Sequence, residues 1–441
     1  MTEPELTRVP LRQAVLRVAV PATAFQLLVF ANNLVDYLWV MQLGDEAASG
    51  QTAGWTVFWM LASLGQVFST GVTAVVARRV GERRTDDARH AATQGLKGAL
   101  LGAAVVGALG WMLVPYLTDV NESTPKAAGY TLDYLRTLRA GAPLIFSYYA
   151  FEGAFKGHGD MRRPLRALMT AVGINIVLDP LLIHVAGLEV LGAALATVVA
   201  FSVTGLTLGG AALRRGWFRW DGFGLDLRLV GRVIRIGFPI SLHGITFSAV
   251  YIFLVREVNL AGGDTATAAL GLGLRFEGFA FMTCVGFSTA AAAIVGQNMG
   301  ARRLDRARDG AWTAVRMASW ICAAWGLLFL LLPLRVVEWM APSREAALYA
   351  LDYFHIVAAS LVFTAAEIVL EGALSGAGDT KPAYFLAIPM TVARVPVAMF
   401  LARTAGWGVA GVFWALTWTS VARGLLFMFW FARGRWVHGK A

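Results

Sequence analysis

The sequence predicts an all-α integral membrane protein whose twelve transmembrane helices form two six-helix lobes, related by pseudo-two-fold symmetry along the membrane normal. Three observations carry that expectation. The 441 residues are 57% hydrophobic and only 15% charged, with a mean hydropathy of +0.60, too apolar for an ordinary soluble enzyme. Apolar runs of roughly 20 residues or more, the length that crosses a hydrocarbon core about 30 Å thick, recur twelve times between short polar breaks. The stretch F-E-G-A-F-K-G-H-G-D at Phe151 to Asp160 also returns as L-E-G-A-L-S-G-A-G-D at Leu370 to Asp379, an offset of 219 residues.

The apolar segments cover about 15–42, 52–77, 91–117, 131–155, 164–186, 189–213, 231–259, 266–298, 310–333, 346–375, 382–403 and 406–432. The first is too long for a signal-peptide core and lacks a small-residue cleavage site, so it is expected to stay as a helix. An even count puts both chain ends on one side. Basic clusters at Arg8/Arg12/Arg17, Arg78/Arg79/Arg83/Arg84, Lys156/Arg162/Arg163, Arg214/Arg215/Arg219/Arg228, Arg302/Arg303/Arg306/Arg308 and Arg433/Arg435/Lys440 all fall on that side. The opposite loops carry only Lys126, Arg335, Arg344 and Arg403, diluted by Asp119, Glu122, Glu189, Asp264 and Glu338. The positive-inside rule then makes both termini cytoplasmic. The net charge of +10 reflects topology rather than nucleic-acid binding. Cys284 and Cys322 lie inside apolar segments, where a cysteine acts as a small hydrophobe, and no disulfide framework is expected.

The repeat extends beyond its motif. At the same offset Gly81 matches Gly300, Ala88 matches Ala307 and Gly192 matches Gly411; at one residue less, Arg17 matches Arg235 and Pro21 matches Pro239. Six helices separate equivalent positions, so the halves share one orientation. The expected organisation is an N-lobe over 1–213, a cytoplasmic linker over 214–230 and a C-lobe over 231–441.

Within the first lobe, F-A-N-N-L-V-D-Y-L-W-V at Phe30 to Val40 sets a carboxylate, Asp36, inside an apolar helix. Such a group is costly at membrane depth, and its default reading is functional. In the fifth segment N-I-V-L-D-P puts Asn175 and Asp179 four residues apart, on one helix face. Pro180 follows, removing a backbone hydrogen bond as in the broken helices of ion-binding transporters. Thr197, in G-A-A-L-A-T, adds a hydroxyl. Asp36 stands eight residues before Gly44, Asp179 eight before Gly187, and Thr197 eight after Glu189. At 1.5 Å per residue all three sit roughly 12 Å from the outer helix ends. Two carboxylates at one apolar depth favour holding a proton over ionising together; alternatively Asp, Asn and Thr oxygens suit a hard cation such as Na⁺. The structural alternative is a static polar network pinning three helices. Carried by 219 residues, the four positions land on Val255, Arg394, Ala398 and Leu416. The second lobe lacks the cluster, which favours a dedicated role over architecture.

These residues resemble the multidrug and toxic compound extrusion transporters, the MATE family, along the whole chain: P…D-Y-L-W-V-x-x-L-G, E-G-A-F-K-G-H-G-D-x-R-x-P, N-I-V-L-D-P with G-A-A-L-A-T, and G-Q-N-M-G-A at Gly296 to Ala301. The set is most similar to the prokaryotic DinF-like branch. That resemblance implies a multi-pass protein of the bacterial inner membrane, a monomer, that exports amphipathic, often cationic compounds by rocker-switch exchange for H⁺ or Na⁺. It implies that Asp36, Asn175, Asp179 and Thr197 form the coupling site and that Pro21 is where helix 1 bends; Pro180, by its own effect on the fifth helix, is read as a second hinge. One departure stands out: Arg78-Arg79-Val80-Gly81 replaces a Q-N-x-G-like sequence that the second lobe keeps at Gln297-Asn298.

Other groups read more plainly. Glu152 stands four residues before Lys156, the spacing of a helix salt bridge, and its repeat partner Glu371 has no such lysine. Glu367 and Glu371 share a helix face and could line a cavity that attracts cations. Tyr37, Trp55, Trp59, Tyr148 and Tyr149 are further cavity candidates. Arg275, Glu277 and Arg394 suggest a buried second-lobe network, Glu257 a paired or solvated group, and His243 a satisfied core histidine. No metal-spaced cluster, nucleophile elbow, phosphate loop or Ser/His/Asp set points to an enzyme, and no cofactor beyond the coupling ion is implied. A flippase for lipid-linked intermediates, of the same broad superfamily, is the alternative function; it calls for a strongly cationic interior, whereas most arginines here sit at the cytoplasmic face.

Overall fold

An unpaired backbone N–H or C=O costs several kcal/mol in hydrocarbon, so apolar runs of this length satisfy themselves as helices. The computed structural model describes residues 5–41, 43, 45–119, 125–219, 222, 224–341 and 343–438, and no strand occurs among them. Within the helices, side chains at 33–34, 36–38, 45–60, 109–119 and a few further positions lie outside that description.

The first half consists of α1 (Leu11–Met41), α2 (Asp45–Gly81), α3 (Thr85–Asp119), α4 (Pro125–His158), α5 (Arg162–Pro180) and α6 (Glu189–Arg214). Next come α7 (Leu227–Gly263) and α8 (Thr265–Gly300), joined at Gly263, whose φ of 66° interrupts the helix. Then follow α9 (Leu304–Leu331), the short α10 (Leu334–Met340), α11 (Arg344–Ala358) and α12 (Leu361–Ala377), α13 (Ile388–Met399) and α14 (Gly408–Ala432). Helices α11 and α12 meet at a 57° bend. Among the described residues eight helices are long and apolar enough to cross a membrane, or nine with α11–α12 as one span; α2, α3 and α4 complete the twelve read from the sequence. Large apolar side chains such as Trp320, Leu331 and Phe385 face outward, as lipid allows. Cys284 and Cys322 are buried thiols with their sulfurs 3.3 Å apart.

The repeated motif has a backbone explanation residue by residue. A methyl group on Gly153 would lie 2.5 Å from the Ser69 carbonyl oxygen, and one on Gly372 would lie 2.5 Å from that of Ser288, again 219 residues on. The first motif glycine therefore lets two helices touch backbone to side. The last one, Gly159 or Gly378, takes positive φ (75° and 78°) and ends its helix. The amides of Gly159 and Asp160 bond to the Lys156 and Phe155 carbonyls, and those of Gly378 and Asp379 to Ser375 and Leu374, the glycine-capped helix end that spares the chain a Cβ penalty.

A second repeated device closes α5 and α13. Each runs on into one wide π turn, Leu181–Val185 and Phe400–Thr404, at matching positions. In the first, the Ala186 amide bonds to Leu181 and Leu188 to Leu182; in the second, Ala405 bonds to Phe400 and Trp407 to Leu401. Gly192 and Gly411 press on these turns: a Cβ would meet the Leu182 and Leu401 carbonyl oxygens at 2.8 and 2.9 Å. Pro180 has Met399 as its repeat equivalent. Helix α13 carries its own proline one turn earlier, at Pro396, so a proline precedes both wide turns, at non-equivalent positions.

Two compact units emerge, residues 24–238 and residues 5–23 with 239–441. The division falls just after Pro21 in α1 and at Pro239 in α7, so each of these helices begins in one unit and ends in the other. In the second unit the Arg303 guanidinium donates to the Thr7 carbonyl at 2.7 Å, Arg306 donates to that of Val9, and the Thr23 hydroxyl reaches the Thr283 carbonyl at 3.4 Å. In the first unit the stretch expected as a linker is strapped to α3. Lys97 Nζ and Gln94 Nε2 donate to the Gly224 carbonyl at 2.8 and 3.2 Å, and the Asp226 amide donates to Gln94 Oε1 at 2.9 Å. Trp217 stacks on His158 with ring centres 3.7 Å apart.

Candidate functional site

Helix α5 carries Asn175 and Asp179 one turn apart, and both side chains are fully buried. Asn175 Nδ2 donates to Asp179 Oδ1 at 3.3 Å. A carboxylate so enclosed cannot draw on bulk water, and it persists only where protein groups, a proton or a cation compensate it. Helix α6 packs on α5 and brings Thr197, itself buried, whose hydroxyl donates back to the Ala193 carbonyl at 3.0 Å. With its proton spent there, Thr197 Oγ1 presents lone pairs, which suits a hydrogen-bond donor or a cation. Asp36 lies on the helical backbone of α1, but its side chain, with those of Tyr37, Trp55 and Trp59, falls outside the described residues. Pro21 sits inside an α1 that stays helical on either side of it.

Tyr148 and Tyr149 differ from expectation. Both are more than nine-tenths buried, set edge-on to each other at 4.9 Å, and Tyr148 meets the Phe201 ring at 5.1 Å. They are core residues of the first unit: Gly65 leaves room for the Tyr149 ring, and Gly205 lets its helix approach the Cα and Cβ of Tyr148. Glu152 makes the expected salt bridge, Lys156 Nζ to Oε1 at 3.0 Å, and its other oxygen accepts the Ser69 hydroxyl at 2.8 Å.

In the second unit the equivalent glutamate has a different partner. Glu371 Oε1 lies 3.1 Å from His243 Nδ1, and His243 Nε2 stands 3.4 Å from both Thr391 Oγ1 and Arg423 Nη1. Arg423 pairs with Glu367 Oε1 at 3.2 Å, and both side chains are buried. Arg394 replaces Asn175 of the first unit and donates to Thr419 and Ser420 hydroxyls at 2.9 and 2.7 Å. Tyr353 donates to Glu277, and Arg403 grips Glu257 with two bonds of 2.9 and 2.6 Å. Glu367 is thus tied to the Arg423 guanidinium and Glu371 to the His243 ring, both within their own unit. Sequence reasoning missed Arg423; the available signal was a lone arginine within the last apolar run.

A family model described as MatE matches residues 21–181 and 239–400, which contain every candidate coupling residue except Thr197. The chain is 28% identical over 436 residues to the "Probable multidrug resistance protein NorM" of Pseudomonas aeruginosa, spanning 94% of this chain and 87% of that protein. It is 23% identical over 449 residues to the protein of the same name from Thermotoga maritima, spanning 97% and 93%. A solved structure of a MOP superfamily transporter from Pyrococcus furiosus, described there as having a binding pocket of reversed polarity, superposes with a TM-score of 0.92 at 23% identity over 98% of each chain. At that identity the likeness establishes the fold alone.

Proposed function

The chain belongs to the MatE family of transporters, and on that premise we propose that it is a multidrug efflux antiporter, not an enzyme, driven by an ion held in its first unit. Its substrates are small drug-like compounds, amphipathic and often cationic, exported across a bacterial inner membrane with both termini in the cytoplasm, by a monomer that alternates between two faces. Asp36, Asn175, Asp179 and Thr197 take up H⁺ or Na⁺, and release of that ion is coupled to drug binding. The fully buried Asn175–Asp179 pair, with Arg394 and Ala398 at its repeat positions, carries the reading. Pro21 supports it as the bend of α1, since the compact units divide two residues beyond it.

Coupling of this kind is reciprocal: an ion that favours the drug-releasing state must bind less well once drug is bound. The test is uptake of a fluorescent cation into proteoliposomes under an imposed proton or sodium gradient. Wild type should respond to one of the two gradients, naming the ion, and Asp36→Asn should insert normally and respond to neither. Gradient-driven uptake by Asp36→Asn equal to wild type overturns the site. No response from wild type to either gradient overturns ion-coupled drug export.

A further inference from the structure

Where α2 ends and α3 and α7 begin, at the face the sequence assigns to the cytoplasm, a pocket of about 220 Å³ is lined by Arg79, Arg84, Asp87, His90, Arg228 and Arg232. Most of its charges are already matched. Arg79 Nη1 is 2.7 Å from Glu82 Oε2, Arg84 pairs with Asp87, and His90 Nε2 is 3.6 Å from Asp226 Oδ2. Asp226 Oδ1 is also occupied, accepting the Arg228 and Leu229 amides at the start of α7. Arg228 and Arg232 stand apart. Their side chains make no hydrogen bond or ion pair with the described residues, although they sit four residues apart on one helix face, where like charges repel. Arginines at the cytoplasmic ends of spans are common and are served by water; these two are instead gathered with Arg79 and Arg84 around one concavity.

We propose that this pocket binds a phosphate group, carried either by an anionic lipid headgroup or by a soluble phosphate. Guanidinium forks bind tetrahedral oxyanions with paired N–H bonds, which a lysine cluster would not do as selectively. The start of a span is also headgroup depth, where basic pockets between helices take lipid phosphates. A bound phosphate supplies the counter-charge that Arg228 and Arg232 lack and ties the first turns of α7 to α2 and α3 within the first unit.

The full-length protein purified in detergent is titrated with dioleoylphosphatidylglycerol, with dioleoylphosphatidylcholine and with inorganic phosphate. Bound adducts are read by native mass spectrometry and stability by the thermal midpoint. R228Q/R232Q is compared with R162Q/R166Q, which removes the same charge from the start of α5. Phosphatidylglycerol binding about tenfold weaker in R228Q/R232Q alone supports the pocket with a lipid headgroup as its ligand. A thermal shift with inorganic phosphate, lost in R228Q/R232Q alone, supports it with a soluble phosphate. Equal loss in both double variants, or none in either, overturns the proposal. Because neither the Arg228 nor the Arg232 side chain bonds to a described residue, the variant is expected to fold, and matching helical circular dichroism checks this.

Discussion

The end of α5 and the end of α13 are one backbone bearing two chemistries. Both finish in a wide π turn at equivalent positions, and both turns are pressed by a glycine of the following helix, Gly192 or Gly411. On that common frame α5 mounts Asn175 and Asp179, whereas α13 mounts Arg394 and Ala398. The glutamate of the repeated motif diverges as well, bound to Lys156 in one unit and to His243 in the other. Backbone constraints are shared because glycines and helix ends fix them; buried charge is free to differ provided each unit balances its own. A polar cluster present in one unit alone is therefore not required by the fold.

The strongest way to break that contrast is to erase it. Asp179→Ala gives α5 the residue that α13 has at Ala398, and gradient-driven transport in proteoliposomes should fall to background while the purified protein keeps its helical content. A smaller but large effect is expected in the second unit. Arg423→Met leaves Glu367 buried without its cation, which should cost about 3–5 kcal/mol, whereas the double variant Glu367→Gln with Arg423→Met should regain most of it. Thermal midpoints of the two variants check this, and equal midpoints would mean the pair is not balanced as described. Next come the shared glycines. Gly192→Ala and Gly411→Ala each force a Cβ against a carbonyl, and each should destabilise by about 1–3 kcal/mol; a large difference between them would break the equivalence of the two turns.

The smallest effect belongs to Asp226, which caps α7. The amide of Leu229 above all, then His90 and the amide of Arg228, hold its carboxyl below the ordinary value of 3.8. A depressed carboxyl contributes stability that is fully present above that value and is lost as the pH falls through the lower folded value. Asp226→Ala should therefore cost about 1 kcal/mol near neutrality, and the gap from wild type should close as the pH falls through the lowered folded value. Thermal midpoints against pH read both.

Hydropathy and the 219-residue repeat made the helical membrane architecture legible, since membrane spans announce themselves through length and composition. The motif glycines were visible as matches, and only contacts revealed why Gly153 and Gly372 are needed. Asn175 and Asp179 were legible because a helix face follows from spacing. The π turns were not, because their prolines, Pro180 and Pro396, stand at non-equivalent positions and leave no shared residue signal. Nor was the division of units at residues 23 and 238, since a hydropathy profile does not say which bundle half a helix joins. The straps from Gln94 and Lys97 to Gly224 depend on backbone carbonyls, which leave no trace in residue identity.

The packing of the first half of α1 also sets a timetable for synthesis. The partners of Thr7, Val9 and Thr23 lie 260 to 297 residues later in the chain, at Thr283, Arg303 and Arg306. At about 5–20 residues per second a ribosome needs on the order of 15–60 s to deliver them. The leading half of α1 is thus made long before these partners. A nascent chain stopped before residue 283 therefore holds an α1 whose leading half lacks its partners at Thr283, Arg303 and Arg306.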